Sequence, residues 1–141
     1  MRNKYAANFL SLCLLVFSTE PVHACEKFLI DQSYRASDGP GLICRFQENE
    51  IFFLFNQKLT IVHELRYLNR KIQSDCNKVE EEETTLAWNY AGSYTSYLNR
   101  QTLLWGRSRI KPAWQCEKLS RTQLITRFSN KVAKNMSENK L

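Results

Sequence analysis

The chain has 141 residues, a formal net charge of +6 and only four glycines. That length holds one domain with a real core. The charge favours anionic surfaces without pointing to nucleic acid, and so few glycines leave no phosphate-cradling loop and no nucleotide site of the usual kind.

Residues 1–24 read as an export signal: Arg2 and Lys4 precede an apolar run over residues 9–18, then Pro21 and the small-residue site Val22-His23-Ala24. A helical run of about ten residues rises roughly 15 Å, half the hydrocarbon thickness of a bilayer, so it is not a permanent span. Cleavage after Ala24 leaves Cys25 first. Val-His-Ala-Cys also loosely resembles the lipobox of bacterial lipoproteins, in which that cysteine is acylated. Against this, Glu20 and Pro21 separate the site from the apolar run, and His23 is a poor lipobox residue.

Cys13 leaves with the signal, and Cys25, Cys44, Cys76 and Cys116 remain. An even set in an exported chain implies two disulfides with three connectivities open. The preferred pairing is Cys44–Cys116, tying an early strand to the last, with Cys25–Cys76 by elimination. An acylated Cys25 would leave an odd thiol, so parity favours the soluble form.

Residues 25–118 form the expected stapled β domain. Residues 27–31 suit a short strand, and residues 37–41 (SDGPG) a turn. Residues 42–46 (LICRF) alternate, with Leu42, Cys44 and Phe46 on one face. Residues 47–50 turn, and residues 51–55 (IFFLF) are apolar on both faces, as in a strand covered on both sides. Residues 60–65 (TIVHEL) have strand composition. Residues 66–79 suit a short helix or extended chain equally, because Leu65, Leu68 and Ile72 have helical spacing. Residues 80–83 (EEEE) must face water, as a solvated loop or a cation site.

Residues 84–90 place Leu86, Trp88 and Tyr90 on one face. Ala91-Gly92 turns, residues 93–99 form another strand, Arg100-Gln101 turns, and residues 102–107 and 113–118 supply two more strands around a basic loop. This pattern predicts a mainly β fold: a small antiparallel meander, either a curled sheet or a small barrel.

Residues 119–141 differ. Ser120 and Gln123 make a capping box, and Leu124, Phe128, Val132 and Met136 repeat every fourth residue, predicting an amphipathic helix over residues 121–136. Arg121, Arg127, Lys131, Lys134 and Lys140 against Glu138 make it basic, suited to packing on the sheet or to lying on an anionic membrane.

Candidate chemistry is sparse. His63 is the one histidine after the signal and is expected to face outward on its strand, opposite in phase to Val62. No closely spaced Cys or His ligands suggest a metal, and no cofactor or catalytic residue is assigned. Paired carboxylates for a small hydrolase would come from Asp31, Asp38, Glu48, Glu50, Asp75 or residues 80–83, nearly all in expected turns. The binding candidates are Arg107, Arg109, Lys111, Arg100, Tyr97 and Trp105, since Tyr, Trp and Arg dominate binding surfaces. Aromatic residues are also favoured in strands because they pack there, which accounts for Trp88, Trp105 and Trp114 as core. The reading is an exported, periplasmic or extracellular, non-enzymatic binding protein whose partner is a protein or an anionic ligand. Its alternatives are a membrane-associated envelope protein, held by acylated Cys25 or by the helix, and a carboxylate hydrolase.

Overall fold

The computed structural model describes residues 37–90 and 94–138. Residues 1–36, with the expected signal, the expected strand at 27–31 and Cys25, lie outside the described residues, as do the expected turn at 91–92 and Lys140. Eight strands precede one helix: β1 (Gly41–Phe46), β2 (Asn49–Phe55), β3 (Ile61–Leu68), β4 (Lys71–Glu81), β5 (Thr85–Tyr90), β6 (Tyr94–Asn99), β7 (Leu104–Gly106), β8 (Trp114–Leu119) and α1 (Arg121–Glu138). Each strand pairs antiparallel with the next, and β8 returns to β1. The meander is a closed barrel.

Successive strands run in opposite directions. The turns β1–β2, β3–β4, β5–β6 and β7–β8 therefore share one end, called upper, and the other turns share the lower end with the start of α1. Alternation sorts the side chains into two cores. Leu42, Cys44, Phe53, Phe55, Val62, Val79, Leu86, Trp88, Leu98, Trp105 and Cys116 fill the barrel. Ile43, Phe52, Leu54, Leu65 and Leu119 point outward and meet Leu124, Phe128 and Val132 of α1. This explains why β2 is apolar on both faces: one lines the barrel and the other lies under the helix.

Cys44 and Cys116 face each other across the seam between first and last strands and form the expected disulfide. Cys76 is also disulfide-bonded; its expected partner Cys25 lies outside the described residues.

The helix begins where the capping box requires. Ser120 Oγ accepts the Gln123 N–H at 3.2 Å, and Gln123 Oε1 accepts the Ser120 N–H at 3.0 Å. It runs up the outside of β1, β2 and β8: Leu124 packs over Gly41 at the lower end, and Lys131 Nζ reaches Glu50 Oε2 at 3.3 Å near the upper end. A Cβ on Gly41 would lie 2.6 Å from the Leu124 Cβ, so only glycine admits the helix this close. Leu124, Phe128 and Val132 of the stripe are buried, whereas Met136 is 52% exposed beyond the sheet.

Three local expectations change. Residues 66–79 hold no helix; they are the end of β3, a turn and most of β4. Asn69 and Arg70 take φ of 50° and 61°, the left-handed pair that suits the twist of a two-residue hairpin. Leu65 and Ile72 lie on the outer face, but Leu68 belongs to the inner one, so their helical spacing was a coincidence. The expected strand at 102–107 contracts to β7, because the Asn99 side chain accepts the N–H groups of Gln101 and Thr102 at 2.9 Å and holds a wider turn. The acidic run is exposed as expected, but Glu80 and Glu81 belong to β4 and are not loop.

Candidate functional site

The inward-facing side chains change character along the barrel axis. At the lower level Leu42, Phe55, Val62, Val79, Leu86 and Leu98 are all buried and apolar. The middle level holds the Cys44–Cys116 bond, Phe53, Trp88 and Trp105, together with buried Glu64 and Ser96. At the upper level Arg66, Gln73, Asp75, Tyr90, Tyr94 and Trp114 are half-buried, and Phe46 is exposed at the rim. An eight-stranded barrel is just wide enough for side chains to fill. Here the inward side chains of the upper end are only half-buried, and this open end of the barrel is called the cup.

The wall of the cup is charged on one side and aromatic on the other. Glu64 and Asp75 are directly opposed on β3 and β4, and Arg66 stands two residues above Glu64. Its guanidinium pairs with Asp75, and its Nε lies 3.6 Å from Glu64 Oε1. Without that cation, two carboxylates opposed across a ladder would repel. From β5, Tyr90 Oη donates to Glu64 Oε1 at 3.3 Å, and its ring packs against Tyr94 and Trp105 at 5.2 and 5.3 Å. Trp105 continues to Trp114 at 5.5 Å, and Trp114 to Phe46 at 5.8 Å.

Burial governs the ionisation of this group. It pushes the Glu64 carboxyl up, against the opposing pull of Arg66 and the Tyr90 hydrogen bond. Burial, with the Glu64 charge beside it, also pushes Tyr90 up to about 12. The floor is incompletely bonded. Glu64 is 3% exposed and its Oε2 has no hydrogen-bond partner; Trp105 Nε1 and Ser96 Oγ are likewise buried and unpartnered. Each such group costs about 1–3 kcal/mol, more when charged, and native proteins keep few.

The six binding candidates do not converge. Trp105 belongs to the floor, and Arg107 stands at the rim with its guanidinium 3.8 Å from the centre of the Tyr94 ring. The loop between β7 and β8 then folds back over the outer wall, where Arg109 lies 4.6 Å over the Tyr97 ring and pairs with Glu82. Arg100 pairs with Glu81 at the lower end, and Lys111 is exposed on the loop. Two of the four cations are thus neutralised by the acidic run, at exposed positions where such pairs add little stability. Trp88 and Trp105 are core, as their strand positions imply; Trp114 is half-buried and lines the cup.

His63 does face away from the barrel, opposite Cys76 and Leu54, but it is buried there instead of solvated, and burial lowers its pKa. Sequence reasoning missed Glu64 and Arg66. The signal was present: both share the inward phase of Val62, so charges stood at positions where alternation demanded core residues.

Other concavities are less suited to a ligand. A depression of about 700 Å³ at the lower end is lined by Asp38, Gly39, Pro40, Gln57 and residues 118–121. Its polar groups bond one another, as where the Gln57 N–H donates to Asp38 at 3.2 Å. A crevice of about 410 Å³ opens between β4 and β5, beside Cys76, Trp88 and Thr95, where only Val79, Glu80 and Glu81 of β4 pair across. Neither is lined by the unpartnered polar atoms of the floor. Comparison with protein-family models, curated proteins and solved structures finds no match to this chain.

Proposed function

We propose that this chain is a small exported, non-enzymatic binding protein that holds a small ligand in the upper cup of its barrel. The observation that carries the reading is the floor. Glu64, Trp105 and Ser96 present buried, unpartnered polar atoms beneath half-buried aromatic walls, the combination of apolar lining and few convergent polar groups that small-molecule sites use. Export is supported by the signal-like residues 1–24 and by oxidised cysteines, which persist outside a reducing cytoplasm.

Binding is favoured over hydrolysis by the arrangement of the acids. Glu64 and Asp75 stand side by side on neighbouring strands and share Arg66, whereas a glycosidase needs its two carboxyl groups on either side of the scissile bond. Attachment to a membrane through the helix would need the stripe that lies against the barrel. Acylation of Cys25 would deny it to Cys76, which is disulfide-bonded.

All three tryptophans lie in or beneath the cup, so their emission reports on its occupancy. The test titrates the full chain with fractions of the medium or envelope extract from which it is purified. A saturable emission change, lost in Tyr94→Ala and Trp114→Ala, is expected. Saturation that survives both substitutions, or no emission change and no adduct by native mass spectrometry, would refute the assignment.

A further inference from the structure

We infer that the cup selects an organic cation, a guanidinium or ammonium group on a body that also carries a hydrogen-bond acceptor. This rests on the reading of the cup as the binding site and narrows it to a ligand class.

Charge is the first argument. Below the rim, two carboxylates, Glu64 and Asp75, stand against the single cation of Arg66, which pairs with Asp75 and whose buried Nε lies beside Glu64 without a hydrogen bond. The cation that Glu64 has nearby is an ion pair at 3.6 Å, without a hydrogen bond, and its second oxygen is unpartnered. An anion held in the cup would lie over that buried carboxylate and be repelled. A donor carrying positive charge would complete it, and charge-assisted bonds of this kind are the strong ones.

The aromatic wall is the second argument. Tyr90, Tyr94, Trp105 and Trp114 form a continuous chain of ring contacts, and ring faces attract cations most strongly where water is displaced. The chain itself displays the preference, because Arg107 rests its guanidinium on the Tyr94 face at 3.8 Å. That stacking is its one polar or cation–π contact among the described residues. Arg107 is exposed on a loop, so an incoming cation can take its place on the ring. The acceptor on the ligand answers the indole N–H of Trp105, two ring contacts from Tyr94.

The experiment uses matched probes on the full chain: N-acetyl-L-argininamide, its neutral isostere N-acetyl-L-citrullinamide, and the anion N-acetyl-L-glutamate, by calorimetric titration. The arginine probe is expected to bind about tenfold or more tightly than the citrulline probe, the worth of one charge-assisted bond, and the anion not at all. Glu64→Gln should erase that preference, and Arg107→Ala, at an exposed position that the fold does not use, should tighten the arginine probe severalfold by removing its competitor. Equal binding of the cationic and neutral probes, tighter binding of the anion, no binding of any probe, or no response to Arg107→Ala would overturn the inference. The cup itself would still stand if extract fractions give the emission change lost in Tyr94→Ala. It falls with the inference only if they do not.

Discussion

Replacing both members of the Cys44–Cys116 bond by alanine should cost the domain about 4 kcal/mol of stability. The cysteines are separated by 72 positions, and opening a loop of that length returns to the unfolded chain an entropy worth about 4 kcal/mol at 25 °C on the chain-entropy relation. The bond sits at the β1–β8 seam, where the last strand must find the first and where no short turn helps it. Each kcal/mol moves the midpoint of a domain of this size by about 4 °C or more, so the variant should melt roughly 15–20 °C lower. Calorimetry without reductant measures this directly. In urea the variant should also show a larger slope, because its unfolded chain exposes more surface. Both sulfurs are buried, so the native protein should resist dithiothreitol until it unfolds. A midpoint within about 2 °C of the unaltered protein would refute the reasoning, and would assign closure of the barrel to its strands and helix alone.

Other outcomes follow from the two cores and from the acids. Phe128→Ala removes a buried ring that meets Phe52 at 5.3 Å and should cost about 3–5 kcal/mol in urea unfolding; a loss below about 1 kcal/mol would mean that the helix is not held by its stripe. Gly41→Ala places a methyl 2.6 Å from Leu124 and should cost about 1–3 kcal/mol by the same measurement, with Leu124→Ala relieving part of it. The acids act in opposite directions with pH. Hydrogen bonds from Arg127 and Arg45 hold Glu117 below its usual value; burial raises Glu50, but Arg45 and Lys131 outweigh it and hold that carboxyl low as well. Their contribution is present above about pH 4.5 and is lost as pH falls through the depressed values, so amide exchange in α1 should accelerate below that pH. Glu64 is raised by burial, so its contribution favours the fold at low pH and is lost as pH rises above about 4.5. Glu64→Gln should therefore raise the melting temperature at pH 7 and change it least at pH 4; the reverse ordering would contradict the assigned burial.

The alternation of residues 42–46, 51–55 and 84–90 was enough to define a β meander with a face to bury, and the double apolar face of β2 required a second layer over the sheet. The capping box and stripe supplied that layer in α1, and the first and last strand cysteines foretold the seam. These features are local: a period of two or of four reports which face a residue occupies. It does not report how strongly a sheet curls. The hairpin at Asn69–Arg70 escaped notice because its left-handed residues are not glycine, and the choice between a curled sheet and a closed barrel stayed open because closure depends on stagger summed around the ring. The cup has the same origin. Glu64, Asp75, Tyr90 and Trp105 come from four strands, and only closure gathers them in the upper half of one interior. The same closure separates Tyr97 and Arg109, which remain outside, from Trp105, eight residues beyond Tyr97 and inside. Nearness along the chain made them look like one surface; the wall of the barrel stands between them.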